Sequence, residues 1–557
     1  MVPAPDLART GSGRCLLAAL LFVLFRALPN ISYPIGHDQA TYCVIGEGLL
    51  RGQQLYRDLW DIKPPGIFWL FTLVVKVFGP VMWSVGLVDI LWLLAISHFI
   101  FRFAERYLGT AAAVIAVLVN AAWHCRVGYV DAGQPECFLM LFVFAAYFAA
   151  SGTGRWQVAR QFAAGLCLGA AFWLKYNALA FFPLLALIPY LDWSRLDIRP
   201  RQVRLLIPWR SWCKRISVLL VGFSTTVALV LCYFWLAGSW SPFKEAQFEA
   251  LPRYTTMALQ GSPHYWAFAI GRTLAWVGLW TVLATGVSLL IAEKRALSRF
   301  VPVLAATAMG YAATASQFRF RHYAFETCYP FFAMVWGYLG VKIYEGARAM
   351  AQGSSGRRRQ VVVVLAWALL ANLLFWPARA EVKALAERYR DLTAWWRNPD
   401  GFYANYPAMQ LDIEYLRGQM QVIHELRQES VPGDGVFVWG TDPLIYYLTQ
   451  LRPPTRFVSN LALISPWAPP AWREELIRDL NGSLPAFIVV ARRDQVPEIA
   501  FTQLDSEQYL TVFPQLADLI SGSYRLMAAF PDFVIYRRKA PPGEEPFPLR
   551  RRPLNLP

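Results

Sequence analysis

A train of about eleven apolar segments, each near the length that crosses a bilayer, constrains this chain more than any other feature. They fall near 13–33, 82–104, 110–126, 135–151, 161–175, 177–191, 216–237, 270–292, 299–317, 324–345 and 360–377. Inside hydrocarbon every backbone polar group must find its partner within the protein, so the segments read as helices. With 56% hydrophobic and 16% charged residues among 557, the chain is too apolar for a soluble protein of this size. The stretch 161–191 stays open between two short spans meeting at Lys175 and one long segment followed by an interfacial piece.

A net charge of +16 would suggest nucleic acid in a soluble protein. Here no nucleic acid is expected, because the cations gather in alternate short loops. Arg102 and Arg106 occupy one such loop, Arg155 and Arg160 the next, and seven basic residues from Arg195 to Arg215 a third. Lys294, Arg295 and Arg299 follow, then Arg348 and Arg357 to Arg359. By the positive-inside rule these loops are cytoplasmic. The first segment follows Arg9 and Arg14 and reads as a retained signal-anchor. The loop at 34–81 and everything after residue 378 then face outward.

Residues 378–540 change character. Helical patterns (Pro407 to Gln428, Pro470 to Leu480) alternate with strand-like runs at Gly435–Trp439, Thr455–Val458 and Ala486–Ala491, and a hairpin runs from Tyr524 to Tyr536. The pattern predicts a small soluble α/β domain with a largely parallel sheet. The Pro-rich tail 541–557 is expected to be disordered. The eight cysteines show no CxxC spacing and no ligand cluster, so most read as small apolar fillers and no zinc site is legible.

The chemistry concentrates in outward loops. Gly36–Phe68 holds Asp38, Glu47, Asp58, Asp61 and Lys63 in a chain that otherwise avoids charge. Asp38, Tyr42 and Ile45 share helical spacing, which predicts a short interfacial helix. Pro64-Pro65 starts another helix and places Lys63 just ahead of its N-terminus, a good anion site. Asp38 and Lys63 carry the functional weight; Glu47, Asp58 and Asp61 read as support. The second loop offers Asp131 and Glu136, the latter equally readable as a first-turn capping charge. Lys175 stands in apolar context, where it must face water, snorkel or meet an anion. Arg319, Arg321, His322 and Tyr323 suit a phosphate near the interface. A carboxylate to take a hydroxyl proton and cations to hold a departing phosphate are what glycosyl transfer from a polyprenyl-phosphate sugar requires. In the soluble domain, Val438 to Asp442 could touch a ligand at a strand end, but Thr441 and Asp442 read more simply as helix-cap residues.

HDQATY around Asp38, the LLRGQQLYRD run, DIKPP at 61–65 and FRFRHYAFETCYPFFA at 318–333 resemble the C-superfamily (GT-C) glycosyltransferases. The nearest group is glycosyltransferase family 39 and its bacterial relatives, which include protein O-mannosyltransferases and the lipid A aminoarabinose transferase. FVWGTDPLIYYLTQLRPPTRFV at 437–458 looks like the periplasmic domain of the bacterial members. The resemblance implies a polytopic α-helical membrane protein of GT-C type, in the bacterial inner membrane, with a small C-terminal α/β extracytoplasmic domain. It implies an inverting transfer with Asp38 as acid/base residue and Lys63 on the donor phosphate. Arg319, Arg321, His322 and Tyr323 would line the lipid-phosphate groove. The expected partners are a polyprenyl-phosphate-sugar donor and a glycan, lipid or protein acceptor; no cofactor is expected, and a divalent metal is not favoured. Gln39 departs from the pattern, since many relatives carry a second acid there, and Asp131 or Glu136 could compensate. The alternative reading is a transporter or flippase for a lipid-linked precursor, which paired Gly/Pro-interrupted spans would favour.

Overall fold

The computed structural model describes residues 6–126, 128–152, 154–187, 209–260, 265–291, 294–352, 364, 381–406 and 416–540. The expected span at 360–377, the arginines at 195–204 and 357–359, residues 407–415 of the expected helix and the 541–557 tail lie outside the described residues, apart from Val364. The chain divides into two compact units: one of residues 1–31, 86–232 and 258–392, the other of 32–85, 233–257 and 393–557. The loop at 34–81 therefore packs in the same unit as the C-terminal residues.

The first unit is helical. Gly11–Ser32, Trp83–Leu108 and Trp209–Leu236 are long and apolar enough to cross a membrane. Thr110–His124, Pro135–Ala150, Tyr176–Leu187 and Phe300–Ala315 are apolar but shorter than the expected spans. Leu17, Leu21, Leu229, Trp266 and Ile270 are exposed, a surface that suits lipid tails rather than water. The expected span at 270–292 is instead broken. Tyr265–Trp276 and Leu279–Ser288 meet at 84°, with Gly278 between them at φ +87, a conformation that side chains strain to adopt. The 161–191 region resolves as two pieces meeting at Lys175. The helix Gln157–Leu174 ends on extended backbone at Lys175, and a 3-10 turn Tyr176–Phe181 follows.

In the second unit the helices His37–Leu50 and Pro65–Phe78 lie against each other. The approach is close because Gly46 has no side chain: a Cβ there would sit 2.9 Å from the Thr72 amide nitrogen. Pro65 stands in the first turn of its helix, as expected. The C-terminal part holds one four-stranded sheet of β1 (Val436–Trp439), β2 (Phe487–Ala491), β3 (Tyr524–Ala529) and β4 (Phe533–Arg538), in the order β1-β2-β4-β3. Only β1 and β2 run parallel; β4 is antiparallel to both neighbours, so the sheet is mixed rather than largely parallel. The helical connection after β2 brings β3 in along the direction of β2, and the hairpin then lays β4 between them, antiparallel to both. Thr455–Val458 forms no strand. It meets the first loop through one bridge, Trp60 to Phe457. Helices Leu416–Glu429 and Ala471–Ser483 occupy the places the periodicity predicts.

Thr441 and Asp442 do not cap the next helix, whose N-cap is Pro443 without a side-chain bond. Asp442 is instead buried. Its Oδ1 accepts from Gln419 Nε2 at 2.6 Å, and among the described residues its Oδ2 has no hydrogen-bond partner. Burial first, then the nearby Asp494 carboxylate, push the Asp442 carboxyl up to about 7. A carboxyl raised on folding contributes stability that is complete below its unfolded value of about 3.9 and is lost as pH rises through its folded value. Asp442→Asn is expected to flatten that loss between about pH 4 and pH 7 and to stabilise the protein at pH 8 by roughly 1–3 kcal/mol. Denaturation across pH checks this; an unchanged slope would place the proton on another group.

Candidate active site

Asp38 sits in the first turn of the His37–Leu50 helix, and Lys63 just precedes Pro64-Pro65. Lys63 Nζ donates to Asp38 Oδ1 at 2.9 Å. Backbone contacts fix the lysine. Its amide donates to Asp61 Oδ1 at 2.8 Å, and its carbonyl accepts from the Tyr56 hydroxyl at 2.8 Å and from Gln247 Nε2 at 3.2 Å. The ammonium also lies 5.1 Å from the centre of the Tyr42 ring. Burial works against its charge, but Asp38, Tyr42 and Asp61 outweigh it and hold the group well above the usual lysine range. The side chains of Lys63 and Asp38 keep 19% and 25% of their surface exposed, so the pair is reachable from outside. Asp61 thus holds the Lys63 backbone.

The neighbouring His37 ring contacts the Thr441 carbonyl, and burial lowers its affinity for a proton, which Asp38 partly offsets. The strand-turn after β1 therefore meets the first loop's helix. Glu47 accepts from Gln450 Nε2 at 2.7 Å, and Asp58 from the Gln54 amide at 2.7 Å. Both are structural links. Gln39 is buried in the same helix as Asp38.

Within the first unit the loop carrying Asp131 and the helix start at Glu136 meet the 319–323 cluster and Lys175. Lys175 Nζ donates to Glu136 Oε1, and the ammonium lies 5.3 Å from the centre of the Tyr323 ring. Glu136 is fully buried, so it serves Lys175 as a counter-ion as well as standing in its helix's first turn. Asp131 lies 3.5 Å from His322 Nδ1, and the His322 ring stacks on Trp276 at 4.0 Å. Phe318 and Phe320 both have positive φ, which turns Arg319 and Arg321 through an irregular segment.

Two groups escape the sequence. Arg456 holds both Glu245 and Glu475 and reaches the Tyr56 carbonyl, joining positions 56, 245, 456 and 475. His124 bonds Asp89 and Glu326, and Asp89, His124 and Cys137 bring ligand atoms within 4.8 Å of one another, a set that could hold a metal ion. No spacing signal links residues so far apart.

Residues 62–209 match the family model described as "Dolichyl-phosphate-mannose-protein mannosyltransferase". No curated protein matches the chain. Among solved structures, ArnT from Cupriavidus metallidurans bound to undecaprenyl phosphate is similar at 16% identity and a TM-score of 0.53, covering 95% of this chain and 98% of that one. The apo state of the same protein is similar at 15% identity, with the same coverage and score. The Archaeoglobus fulgidus oligosaccharyltransferase tethered with an acceptor peptide gives 12% identity and a TM-score of 0.43, covering 94% of this chain and 74% of that one. With its apolar helices and its small C-terminal sheet, the chain is a membrane protein of the GT-C glycosyltransferase fold, similar to the protein mannosyltransferases and to ArnT.

Proposed function

We propose that the protein transfers a sugar from a polyprenyl-phosphate-linked donor to an acceptor hydroxyl on the outer face of a bacterial inner membrane. The carrying observation is the reachable Asp38–Lys63 pair, a carboxylate and an ammonium 2.9 Å apart on a braced loop. The similarity to an ArnT structure bound to undecaprenyl phosphate supports a lipid-phosphate donor. In this reading Lys63 leaves Asp38 for the donor phosphate and so frees the carboxylate as a base. The acceptor oxygen attacks the anomeric carbon from the face opposite the phosphate, which inverts the centre. The bond to the phosphate oxygen breaks, its electrons stay with the polyprenyl phosphate, and the hydroxyl proton passes to Asp38. Lys63 stabilises the charge that grows on the departing phosphate. Lys175, Arg319, Arg321, His322 and Tyr323 are proposed to serve the lipid phosphate, with Asp131 and Glu136 orienting His322 and Lys175.

Lys63→Ala is expected to weaken donor binding by about 10- to 100-fold, the worth of one charged hydrogen bond. Titration of purified protein with polyprenyl-phosphate sugar checks this; unchanged affinity would place the phosphate elsewhere. Liposomes separate transfer from transport by comparing glycosylated product with movement of labelled lipid.

A further inference from the structure

We propose that Asp89, His124 and Cys137 form a structural zinc site in the helical unit, oriented by Glu326. The four residues come from helices Trp83–Leu108, Thr110–His124 and Pro135–Ala150 and from the turn His322–Thr327. All are buried, with exposures of 0%, 4%, 3% and 6%.

Charge makes the cluster unusual. His124 Nε2 lies 3.0 Å from Asp89 Oδ2, and Nδ1 lies 3.1 Å from Glu326 Oε1. Among the described residues neither carboxylate is ion-paired with a lysine or arginine. Two carboxylates around one imidazole leave a net negative charge even when the ring is protonated, and among apolar helices that is costly. A divalent cation bound by the Asp89 carboxylate and the Cys137 thiolate forms a neutral centre, and with the Glu326 carboxylate on Nδ1–H the cluster then carries the same net charge as the protonated triad.

Geometry favours the metal over a bare ion triad. With a metal bound, Glu326 would accept from Nδ1–H and leave the Nε2 lone pair for the ion beside Asp89 and Cys137. A carboxylate behind the ring is the usual support of a zinc-bound histidine. The ligand atoms lie within 4.8 Å of one another, and bonds of about 2.0–2.3 Å in a tetrahedron need them about 3.3–3.8 Å apart, a small contraction. The fourth position also has a candidate. A small cavity of about 10 Å³ is lined by Asn120, His124, Cys137 and Glu326 among others, and among the described residues the buried Asn120 Oδ1 has no hydrogen-bond partner. Asn120 stands one helical turn before His124 and supplies the last oxygen, directly or through one water. Imidazole, carboxylate and thiolate together select zinc over magnesium or calcium. Binding releases the Cys137 thiol proton, and any proton on His124 Nε2, to solvent.

The test uses the full chain purified in detergent. Elemental analysis is expected to find one zinc per chain, lost on Cys137→Ala. Co²⁺ in place of zinc is expected to give a thiolate-to-cobalt absorption band that the same variant abolishes. Glu326→Gln is expected to keep the band while weakening the metal by about 10- to 100-fold. Zinc-free wild-type protein whose melting temperature Zn²⁺ does not raise would overturn the site. So would a Cys137→Ala variant with undiminished zinc, which would move the metal to another group.

Discussion

Asp38→Asn is expected to cut sugar transfer by about 10²- to 10⁴-fold, the usual contribution of a positioned general base. The substitution keeps the shape of the side chain and removes its charge and its ability to take a proton. It should leave the fold intact for a definite reason. Lys63 keeps its backbone bonds to Asp61, Tyr56 and Gln247, and the Asp38–Lys63 pair is partly exposed, where ion pairs contribute about 0–1 kcal/mol. Rates measured with purified donor, beside melting curves in detergent, separate the two effects. Activity near wild type would remove Asp38 from the chemistry. A large fall in melting temperature would make the loss structural instead.

The pair was legible because its signals are local. Asp38 is one turn from Tyr42, and the helix start at Pro65 can be read from Pro-Pro alone. The resemblance then joined the two across their separation. Lys175 was legible as a cost, since an ammonium in an apolar run asks for an anion, but its partner Glu136 was equally readable as a cap. The structure gives Glu136 both places. The break at Gly278 was hidden because hydropathy is continuous from 270 to 292, and a single glycine is tolerated in most helices. Thr455–Val458 was misread because a short apolar run has no signature of its own; the residues pack against Trp60 instead of joining the sheet. The His124 cluster had no local signal at all, because Asp89, His124, Cys137 and Glu326 lie on four separate segments. Hydropathy treats Asp89, His124 and Glu326 as lone polar interruptions and Cys137 as an apolar filler.

Arg456→Ala is expected to destabilise the second unit by about 3–5 kcal/mol, the cost of removing one partner from a buried ionic network. The guanidinium is 8% exposed and meets Glu475 Oε1 at 2.7 Å and Glu245 Oε1 at 3.0 Å, while Nη1 donates to the Tyr56 carbonyl at 3.3 Å. Its plane also lies against Phe457 and Trp472, so truncation removes packing as well as charge. Alanine would leave two carboxylates facing each other without their shared cation. Arg456→Lys should recover little, because one ammonium cannot span two carboxylates and a carbonyl with the fork that arginine offers. Glu475→Gln should cost much less, since Glu245 still balances the arginine. The effect reaches the proposed site through the chain. Tyr56 takes the arginine on its carbonyl and gives its hydroxyl to the Lys63 carbonyl, so loosening residue 56 loosens the backbone that aims Lys63. Arg456→Ala should therefore weaken donor binding in whatever fraction stays folded, whereas Glu475→Gln should leave it near wild type. Chemical denaturation in detergent reads the first effect, and donor titration of the folded fraction reads the second. Equal donor affinity in the two variants would show that the network supports the fold without holding the loop.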